Sequence, residues 1–384
     1  MLVVLAALTL LLWWGLTLDW TLGVRGMRDL GDVPEPAGAE LPALSVVIAA
    51  RNEADTLGPT LASLSAQRLP GLEVVVVDDR SGDATLSVAR AAAAHDPRLR
   101  AVRVHELPEG WLGKTHALQV GAEAARGSWL LFTDADVRFA PGALARALGY
   151  AQARALDHLV ALPRLQARGP LLRSFVAAFG LLFAVHTRPW RAPAPGSRAA
   201  IGIGAFGLVR RSAYEAIGRH ERIRLRPDDD LSLGRLLKSR GFAQEAVFGG
   251  GDVSLEWYPD VRTAVKGLEK NAFAGMGYSL WRMGILALAL LVTNVMPFLA
   301  LPFVTGSAQL LYALVVATVA FVYAFDASRS RHAAWLFVLH PVGTTLLVAA
   351  AVGSAVAALR TGEVEWRGTR YSLEELRRGG PQPR

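Results

Sequence analysis

The stretch Ser128-Trp-Leu-Leu-Phe-Thr-Asp-Ala-Asp-Val-Arg-Phe139 runs a short apolar segment directly into two carboxylates, Asp134 and Asp136. Similar apolar runs, separated by alanine-rich segments, occur at residues 44–50, 73–79, 100–104 and 158–163. Because the runs are continuous rather than alternating, they indicate strands buried on both faces, and such strands form a parallel sheet covered by helices. We therefore predict a doubly wound, mostly parallel α/β domain.

Polar residues follow three of these runs at the points where the predicted strands end. They lie in the sequences ARNEAD (50–55), DDRSGD (78–83) and DAD (134–136). Parallel strands bring their carboxyl ends to one edge of a sheet, where ligands bind in this class of fold. We therefore expect the three polar segments to form one site.

Two carboxylates at positions i and i+2 can converge on one divalent cation. The sequence has no cysteine, so a metal must be held by oxygen or histidine ligands, which favours Mg²⁺ or Mn²⁺. Such an ion usually also takes substrate phosphate oxygens as ligands, and this predicts a metal site at Asp134 and Asp136 for a diphosphate substrate. The alternative is that the two acids cap a helix beginning near Pro141.

The composition indicates a membrane protein. Of the 384 residues, 52% are hydrophobic, which is high for a soluble chain. The net charge of +8 includes many arginines near apolar segments, which suits an anionic membrane surface. No basic stripe with interleaved aromatic residues indicates a nucleic-acid partner.

Charge and apolar length divide the chain into segments. Arg25 and Arg28 follow the first apolar run, and by the positive-inside rule they place the next domain in the cytoplasm. The predicted segments are a transmembrane anchor (1–22), a linker (23–43), a cytoplasmic domain (44–264), an interfacial amphipathic helix (265–282), transmembrane segments (283–359) and a basic tail (360–384). The chain is thus predicted to be a multi-pass protein of a bacterial-type cytoplasmic membrane.

Three alternatives to these segments remain open. A cleaved signal peptide is the alternative to the anchor, and an ordinary surface helix is the alternative to the interfacial helix. The side of the membrane that holds the tail is also open. Three full crossings within residues 283–359 would place the tail outside, whereas its charge favours the cytoplasm.

Five motifs occur together in an order that resembles the family 2 glycosyltransferases, over roughly residues 44–280. These are VVIAARNEADTLGPTLASL, VVVVDDRSGDAT, GWLGKTHALQVG, GSWLLFTDADV and PDDDLSLGRLLKSRGF. The resemblance implies an inverting enzyme with a nucleotide-diphospho-sugar transferase fold. It looks closest to membrane-anchored members that glycosylate lipids, such as the carotenoid- and hopanoid-associated enzymes. The Q-x-x-R-W string of the sugar-polymerising members is absent, which favours transfer of a single sugar.

The resemblance also implies roles for individual residues. Asp79 would contact the base or ribose, Lys114 would reach the nucleotide or the diphosphate, and Asp230 would be the catalytic base, with Asp229 as the alternate. The implied donor-binding residues are Arg51, Asn52, Glu53, Asp79, Lys114 and Asp134, and the implied metal ligands are Asp134 and Asp136. For the acidic cluster 228–230, capping of the following helix is the alternative.

We therefore expect transfer of one sugar from a nucleotide sugar, with UDP-sugar implied by the resemblance, to a hydroxyl of a lipid of carotenoid, hopanoid or glycerolipid type. The alternatives are a polyprenyl-phosphate acceptor bound by Arg222, Arg224 and Arg226, and a membrane scaffold without activity. The string GIGAFG (202–207) fits a dinucleotide-binding pattern, but it comes late and continues into a strand. We interpret it as a glycine-lined wall near the sugar or acceptor.

Overall fold

The computed structural model describes all residues except 37–39, 331–332, 367–368 and 379–384. The strands are β1 (Leu44–Ala50), β2 (Leu72–Asp79), β3 (Leu99–Val104), β4 (Trp129–Thr133), β5 (Arg138–Phe139), β6 (His158–Leu162), β7 (Arg164–Gln166), β8 (Gly207–Arg210), β9 (Gln244–Phe248), β10 (Val253–Glu256), β11 (Glu363–Trp366) and β12 (Thr369–Ser372). The helices are α1 (Leu2–Arg25), α2 (Ala54–Ser65), α3 (Thr85–His95), α4 (Gly113–Ala124), α5 (Ala143–Ala153), α6 (Pro170–Thr187), α7 (Arg211–Ala216), α8 (Asp229–Ser239), α9 (Val261–Gly275), α10 (Leu280–Leu290), α11 (Met296–Ala300), α12 (Gly306–Ser330), α13 (His340–Thr361) and α14 (Leu373–Arg378).

The chain divides into two compact units, which we name the sheet unit and the helical unit. The sheet unit comprises Met27–Leu165, Arg188–Glu256 and Glu374–Arg384, and the helical unit comprises Met1–Gly26, Gln166–Thr187 and Trp257–Leu373.

The sheet unit is built on a seven-stranded sheet with the order β3-β2-β1-β4-β8-β6-β9. Every neighbouring pair is parallel except the two pairs that involve β8, which runs antiparallel to β4 and β6. A second, three-stranded sheet has the order β5-β10-β7. The predicted doubly wound, mostly parallel α/β fold is therefore confirmed, and all five predicted strands are present.

The strand register brings the polar segments to one edge of the sheet. Ala50 at the end of β1 lies beside Asp78 of β2, and Ile48 lies beside Thr133 at the end of β4. The side chains that follow β1, β2 and β4 therefore start from neighbouring points, as the sequence predicted.

The core beneath this edge is formed by the apolar runs themselves. Val47, Val75 and Leu130 have no exposed surface, and burial of each contributes about 1.5–3 kcal/mol to folding. Helix α4 packs closely because Gly121 has no side chain, since a Cβ there would overlap Val47 and come within 3.0 Å of Val77. This close packing fixes the start of α4 next to the strand ends.

Part of the predicted linker is docked on the sheet unit. Leu30 is fully buried, the amide of Phe248 donates to the carbonyl of Arg28 (2.8 Å), and Arg146 pairs with Glu35 (2.9 Å). Residues 37–39 of the predicted linker lie outside the described residues.

The helical unit contains long apolar helices. Within the described residues, the segments long and apolar enough to cross a membrane are Leu2–Arg25, Pro170–Arg191, Leu280–Ala300, Gly306–Ala327 and Ala334–Thr361. The predicted interfacial segment 265–282 falls on α9 and the start of α10. Sequence analysis did not single out the second of the five segments, which contains α6. Residues 331–332, in the predicted transmembrane segments, and residues 367–368, in the predicted tail, lie outside the described residues.

A buried polar trio joins three parts of the helical unit. His340 at the start of α13 contacts the hydroxyl of Tyr323 in α12 through Nδ1 (3.0 Å). Its Nε2 contacts Oδ1 of Asn294 (3.0 Å), which lies in a π-helical turn, Leu291–Val295, between α10 and α11. The amide nitrogen of Asn294 then donates to the carbonyl of Leu290 (3.2 Å).

Candidate active site

Two loops at the sheet edge are tied together by hydrogen bonds. The amide of Asn52 donates to Ser81 Oγ (3.0 Å), the amide of Gly82 donates to Asn52 Oδ1 (2.9 Å), and the amide of Glu53 donates to Thr85 Oγ1 (2.8 Å). The loop after β1 therefore has a defined shape.

Both loops contain a residue in the left-handed region. Asn52 has φ 55° and Arg80 has φ 54°. Such conformations are costly for residues other than glycine and concentrate at functional sites. Two of them at equivalent positions after β1 and β2 support a ligand-binding role for this edge.

Asp79 is almost fully buried beneath these loops. Its two oxygens accept from Arg80 Nε (2.7 Å) and Nη2 (3.1 Å), and Arg51 Nη1 lies 3.7 Å away. The same carboxylate lies against the start of α4, because a Cβ on Gly113 would overlap it. The structure therefore places Asp79 beside both Arg51 and Arg80.

Asp134 and Asp136 follow β4. Burial, together with the nearby carboxylates of Asp134 and Glu53, raises the pKa of Asp136 to about 7. Oδ1 of Asp136 is buried without a hydrogen-bond partner. A carboxylate that is buried, repelled by neighbouring acids and unpaired suits a divalent cation, so these residues fit one.

The described residues contain no cluster of three or more His, Asp or Glu side chains with metal-binding geometry. A site with two protein carboxylates is consistent with ions that take their remaining ligands from water and substrate phosphates.

Lys114 lies between the two acidic clusters. Its Nζ is 2.8 Å from Asp134 Oδ1 and 3.6 Å from Asp229 Oδ1. Burial alone would lower the pKa of Lys114, but the carboxylates of Asp134, Asp229 and Asp230 raise the pKa above its usual range. Lys114 is therefore a permanent cation at the centre of the site.

The acidic cluster opens α8, and its three members differ. Asp228 occupies the N-cap position without a capping side-chain hydrogen bond, and it pairs with Arg226 (2.9 Å) and Arg235 (3.5 Å). Burial raises the pKa of Asp229 to about 7, and it also raises the pKa of Asp230.

Both oxygens of Asp230 accept from backbone amides. Gly204 N donates to Oδ2 (2.7 Å) and Leu231 N donates to Oδ1 (2.7 Å). Two such bonds hold the carboxylate in one orientation.

One open cavity is lined by groups from both acidic clusters. Its polar lining includes Lys114, Asp134, Asp229 and Asp230, and the glycine segment that contains Gly204 forms another wall. These four polar side chains were predicted from the sequence to be site residues. Two histidines that also line the cavity were not.

The two histidines are His158 and His220, and burial lowers the pKa of each to about 3. They are therefore neutral at pH 7. Nothing in their sequence spacing indicated the cavity, because only the order of the strands brings them there.

Comparisons with known proteins agree with this fold. The model of the family described as Glycosyl transferase family 2 matches residues 45–218. These residues therefore form a family 2 glycosyltransferase domain, and the protein is a glycosyltransferase.

Among curated proteins, the chain is similar to 4,4'-diaponeurosporenoate glycosyltransferase of Staphylococcus aureus. The protein of strain USA300 is 26% identical over 87% of this chain and 89% of its own length, and that of strain MRSA252 is 25% identical with the same coverage. Among solved structures, a mannosyltransferase from Pyrobaculum calidifontis in complex with GDP-Man and Mn²⁺ covers 92% of this chain and 99% of its own. Its TM-score is 0.55 at 20% identity, so the two share the fold.

Proposed function

We propose that the protein transfers one sugar from a nucleotide-diphosphate sugar to a hydroxyl of a membrane lipid, with inversion at the anomeric carbon. The observation that carries the proposal is the meeting of the two acidic clusters: Lys114 Nζ lies 2.8 Å from Asp134 and 3.6 Å from Asp229. One cluster suits the donor diphosphate, and the other suits removal of a proton from the acceptor.

On the donor side, the loops after β1 and β2 would bind the nucleotide, with a UDP-sugar as our expected donor. Asp134 and Asp136 would hold Mg²⁺ or Mn²⁺, which when bound neutralises charge on the departing diphosphate. Lys114 supplies a second positive charge for the same leaving group.

On the acceptor side, Asp230 would take the proton of the lipid hydroxyl. A hydroxyl is too weak an acid to ionise at neutral pH, so it needs a base within about 3 Å as it attacks. The new bond to the anomeric carbon forms on the face opposite the diphosphate while the old bond breaks, which inverts the configuration. Asp229 remains the alternate base.

A lipid acceptor is supported by the apolar helices of the same chain and by the similarity to an enzyme named for a carotenoid acid. The polyprenyl-phosphate alternative needs free cations near Asp230. Of the three arginines, Arg226 is already bound to Asp228 (2.9 Å) and to Ser232 (3.1 Å). We therefore favour an uncharged acceptor head.

The test is transfer by purified protein from radiolabelled UDP-sugars and GDP-mannose to a bacterial lipid extract, with the product identified by mass spectrometry. We expect a neutral glycolipid that carries one sugar. A phosphate-linked product would favour the alternative acceptor, and neither transfer nor donor hydrolysis with any donor would overturn the proposal.

Asp79→Ala is expected to raise the donor KM more than the acceptor KM, because Asp79 and the arginines it holds belong to the donor side. Steady-state kinetics with each substrate varied in turn measure the two values. Thermal unfolding serves as the control, since Asp79 also contacts the start of α4. An effect confined to the acceptor KM would reassign this residue.

We also propose that the sheet unit lies in the cytoplasm and that α6 does not cross the membrane. Helix α6 lies between β6 and β8 in the chain, and these strands pair in one sheet. Both ends of α6 are therefore on the same side of the bilayer, despite its length and apolar composition.

The side of the membrane on which the C-terminal tail lies follows from the same kind of argument. The chain leaves the sheet unit at Glu256 and returns to it at Glu374, so the helices between make an even number of crossings. Three apolar segments occur there, and we assign α13 as the one that does not complete a crossing, because it packs on α6 and α9.

Cysteine labelling tests this topology directly, since the natural sequence has no cysteine. With a membrane-impermeant maleimide we expect Thr305→Cys, in the turn before α12, to react in intact cells. Arg90→Cys and Arg198→Cys, which are exposed on either side of α6, should react only after permeabilisation. Reaction of Arg198→Cys alone in intact cells would mean that α6 crosses.

A further inference from the structure

We propose that Gly202 and Gly204 are positioning residues that set the separation between Asp134 on the donor side and Asp230 on the acceptor side. The inference rests on the proposed function and adds to it a spacer between the two carboxylates. Both residues belong to the string GIGAFG (202–207), which the sequence analysis interprets as a glycine-lined wall near the sugar or acceptor.

Gly204 contacts both carboxylates. Its amide donates to Asp230 Oδ2 (2.7 Å), and a Cβ on the same residue would lie 2.5 Å from Asp134 Oδ2. The backbone of Gly204 therefore lies directly between the carboxylates of Asp134 and Asp230. A side chain at position 204 would push the carboxylate of Asp134 away.

Gly202 makes the equivalent close approach to the backbone of the acidic helix. A Cβ there would overlap the carbonyl oxygen of Asp230 and lie 2.8 Å from the amide nitrogen of Leu231. The first turn of α8 can rest against residue 202 only if that residue is glycine.

Lack of space for a side chain, and not backbone conformation, explains why residues 202 and 204 are glycine. Gly202, Gly204 and Gly207 all lie outside the positive-φ region, so alanine could adopt the backbone angles at each position. At Gly207, which lines the same cavity, a Cβ would have its nearest neighbours at 3.9 Å, an ordinary contact. Gly207 is therefore a matched control.

The segment is also anchored at both ends. The side-chain amide of Gln244 bonds both to the amide (2.9 Å) and to the carbonyl (3.0 Å) of Ile201. At the other end, Thr133 Oγ1 donates to the carbonyl of Ala205 (2.7 Å). Because Thr133 directly precedes Asp134, the spacer is fixed to the strand that carries the donor-side carboxylate.

A spacer of this kind matters for the rate because the donor and the attacking hydroxyl must meet in a fixed geometry. A displacement of about 1 Å at a reacting group can cost about 10²-fold in rate. With Gly204 fixed, neither carboxylate has to be reoriented when both substrates are bound.

The experiment compares Gly204→Ala with Gly207→Ala. The side chain of Asp134 is 40% exposed and can rotate away from a new methyl group, so we expect Gly204→Ala to fold with an unchanged Tm. Its kcat should fall by about 10²-fold. Calorimetry should show weaker Mn²⁺-dependent binding of UDP, or of GDP if GDP-mannose is the donor. Gly207→Ala, in which the added methyl group has room, should change kcat and nucleotide binding much less than Gly204→Ala does.

Gly202→Ala gives a second, different signature. It displaces the Asp230 side of the cavity, so kcat should fall while Mn²⁺-dependent nucleotide binding stays at the wild-type level. Should this variant not fold, the comparison of Gly204→Ala with Gly207→Ala still decides.

Equal kinetics and equal nucleotide binding in Gly204→Ala and Gly207→Ala would overturn the inference. A drop in Tm in Gly204→Ala that accompanies its loss of activity would assign Gly204 a structural role and would also overturn it. A wild-type protein that transfers no sugar would instead refute the proposed function, and the spacer with it.

Discussion

Asp230→Asn is expected to lower kcat by about 10²- to 10⁴-fold while donor binding stays close to that of the wild type. The substitution keeps the shape of the side chain and removes its basicity. A proton acceptor acts mainly in the transition state, so its loss appears in kcat rather than in ground-state binding. Asp229→Asn, in the same helical turn, is the matched comparison and should do much less.

The surroundings of Asp230 sharpen this test. Both of its oxygens accept backbone amides, from Gly204 and Leu231, and an asparagine can accept only one of these bonds. Some loss of stability is therefore expected in Asp230→Asn, and thermal unfolding should be measured alongside the kinetics. A mere helix cap would tolerate asparagine almost as well as aspartate.

The outcomes separate the competing roles. With a hydroxyl acceptor, an active Asp230→Asn beside an inactive Asp229→Asn would move the base by one residue, and activity in both would remove the base from this cluster. The choice of acceptor matters here as well. An acceptor that is itself a carboxylate carries no proton at neutral pH, so its glycosylation would survive Asp230→Asn while that of a hydroxyl would not.

Asp136→Asn, or treatment with EDTA, is expected to abolish turnover and to weaken donor binding at the same time. Asp136 is half-buried, its buried Oδ1 has no hydrogen-bond partner, and it lies close enough to Asp134 and Glu53 to be repelled by them. A shared cation relieves that repulsion and links the protein to the donor diphosphate. Without the second carboxylate both the ion and the donor are held less well.

The pH dependence of the metal site follows from the raised pKa of Asp136, about 7. Below that pH the carboxyl is protonated and cannot ligate a cation, so Mn²⁺-dependent nucleotide binding should weaken as the pH falls from 8 to 6. Isothermal calorimetry at several pH values measures this. Asp55→Asn, which alters an exposed acid in the first turn of α2, is the control for the Asp136→Asn substitution.

Unchanged donor affinity in Asp136→Asn would contradict the metal role of this residue.

Much of the fold was predictable because the buried strands carry an unmistakable local pattern. The apolar runs at β1, β2 and β4 end in charged residues, and the parallel arrangement alone requires those ends to meet. The DAD, DDR and RNE segments can therefore be assigned to one edge of the sheet from the sequence alone.

Other features depend on contacts between distant parts of the chain and leave no local pattern. The antiparallel insertion of β8 between β4 and β6 places Gly204 against Asp230, and no spacing rule predicts that hydrogen bond. Helix α6 escaped notice for a related reason. Its apolar composition resembles that of a buried helix, and our proposal that it does not cross rests on the pairing of β6 with β8 on either side of it in the sequence.

The trio of Tyr323, His340 and Asn294 has a consequence for ion permeability. Asn294 Oδ1 can only accept, so Nε2 of His340 donates to it and Nδ1 accepts from the Tyr323 hydroxyl. The donors thus point in one direction and end at two backbone carbonyls: the amide of Asn294 donates to the Leu290 carbonyl and to Thr293 Oγ1 (2.8 Å), which in turn donates to the Ala289 carbonyl (2.7 Å). A backbone carbonyl holds no exchangeable hydrogen, so these polar groups can join apolar helices without relaying a proton beyond them.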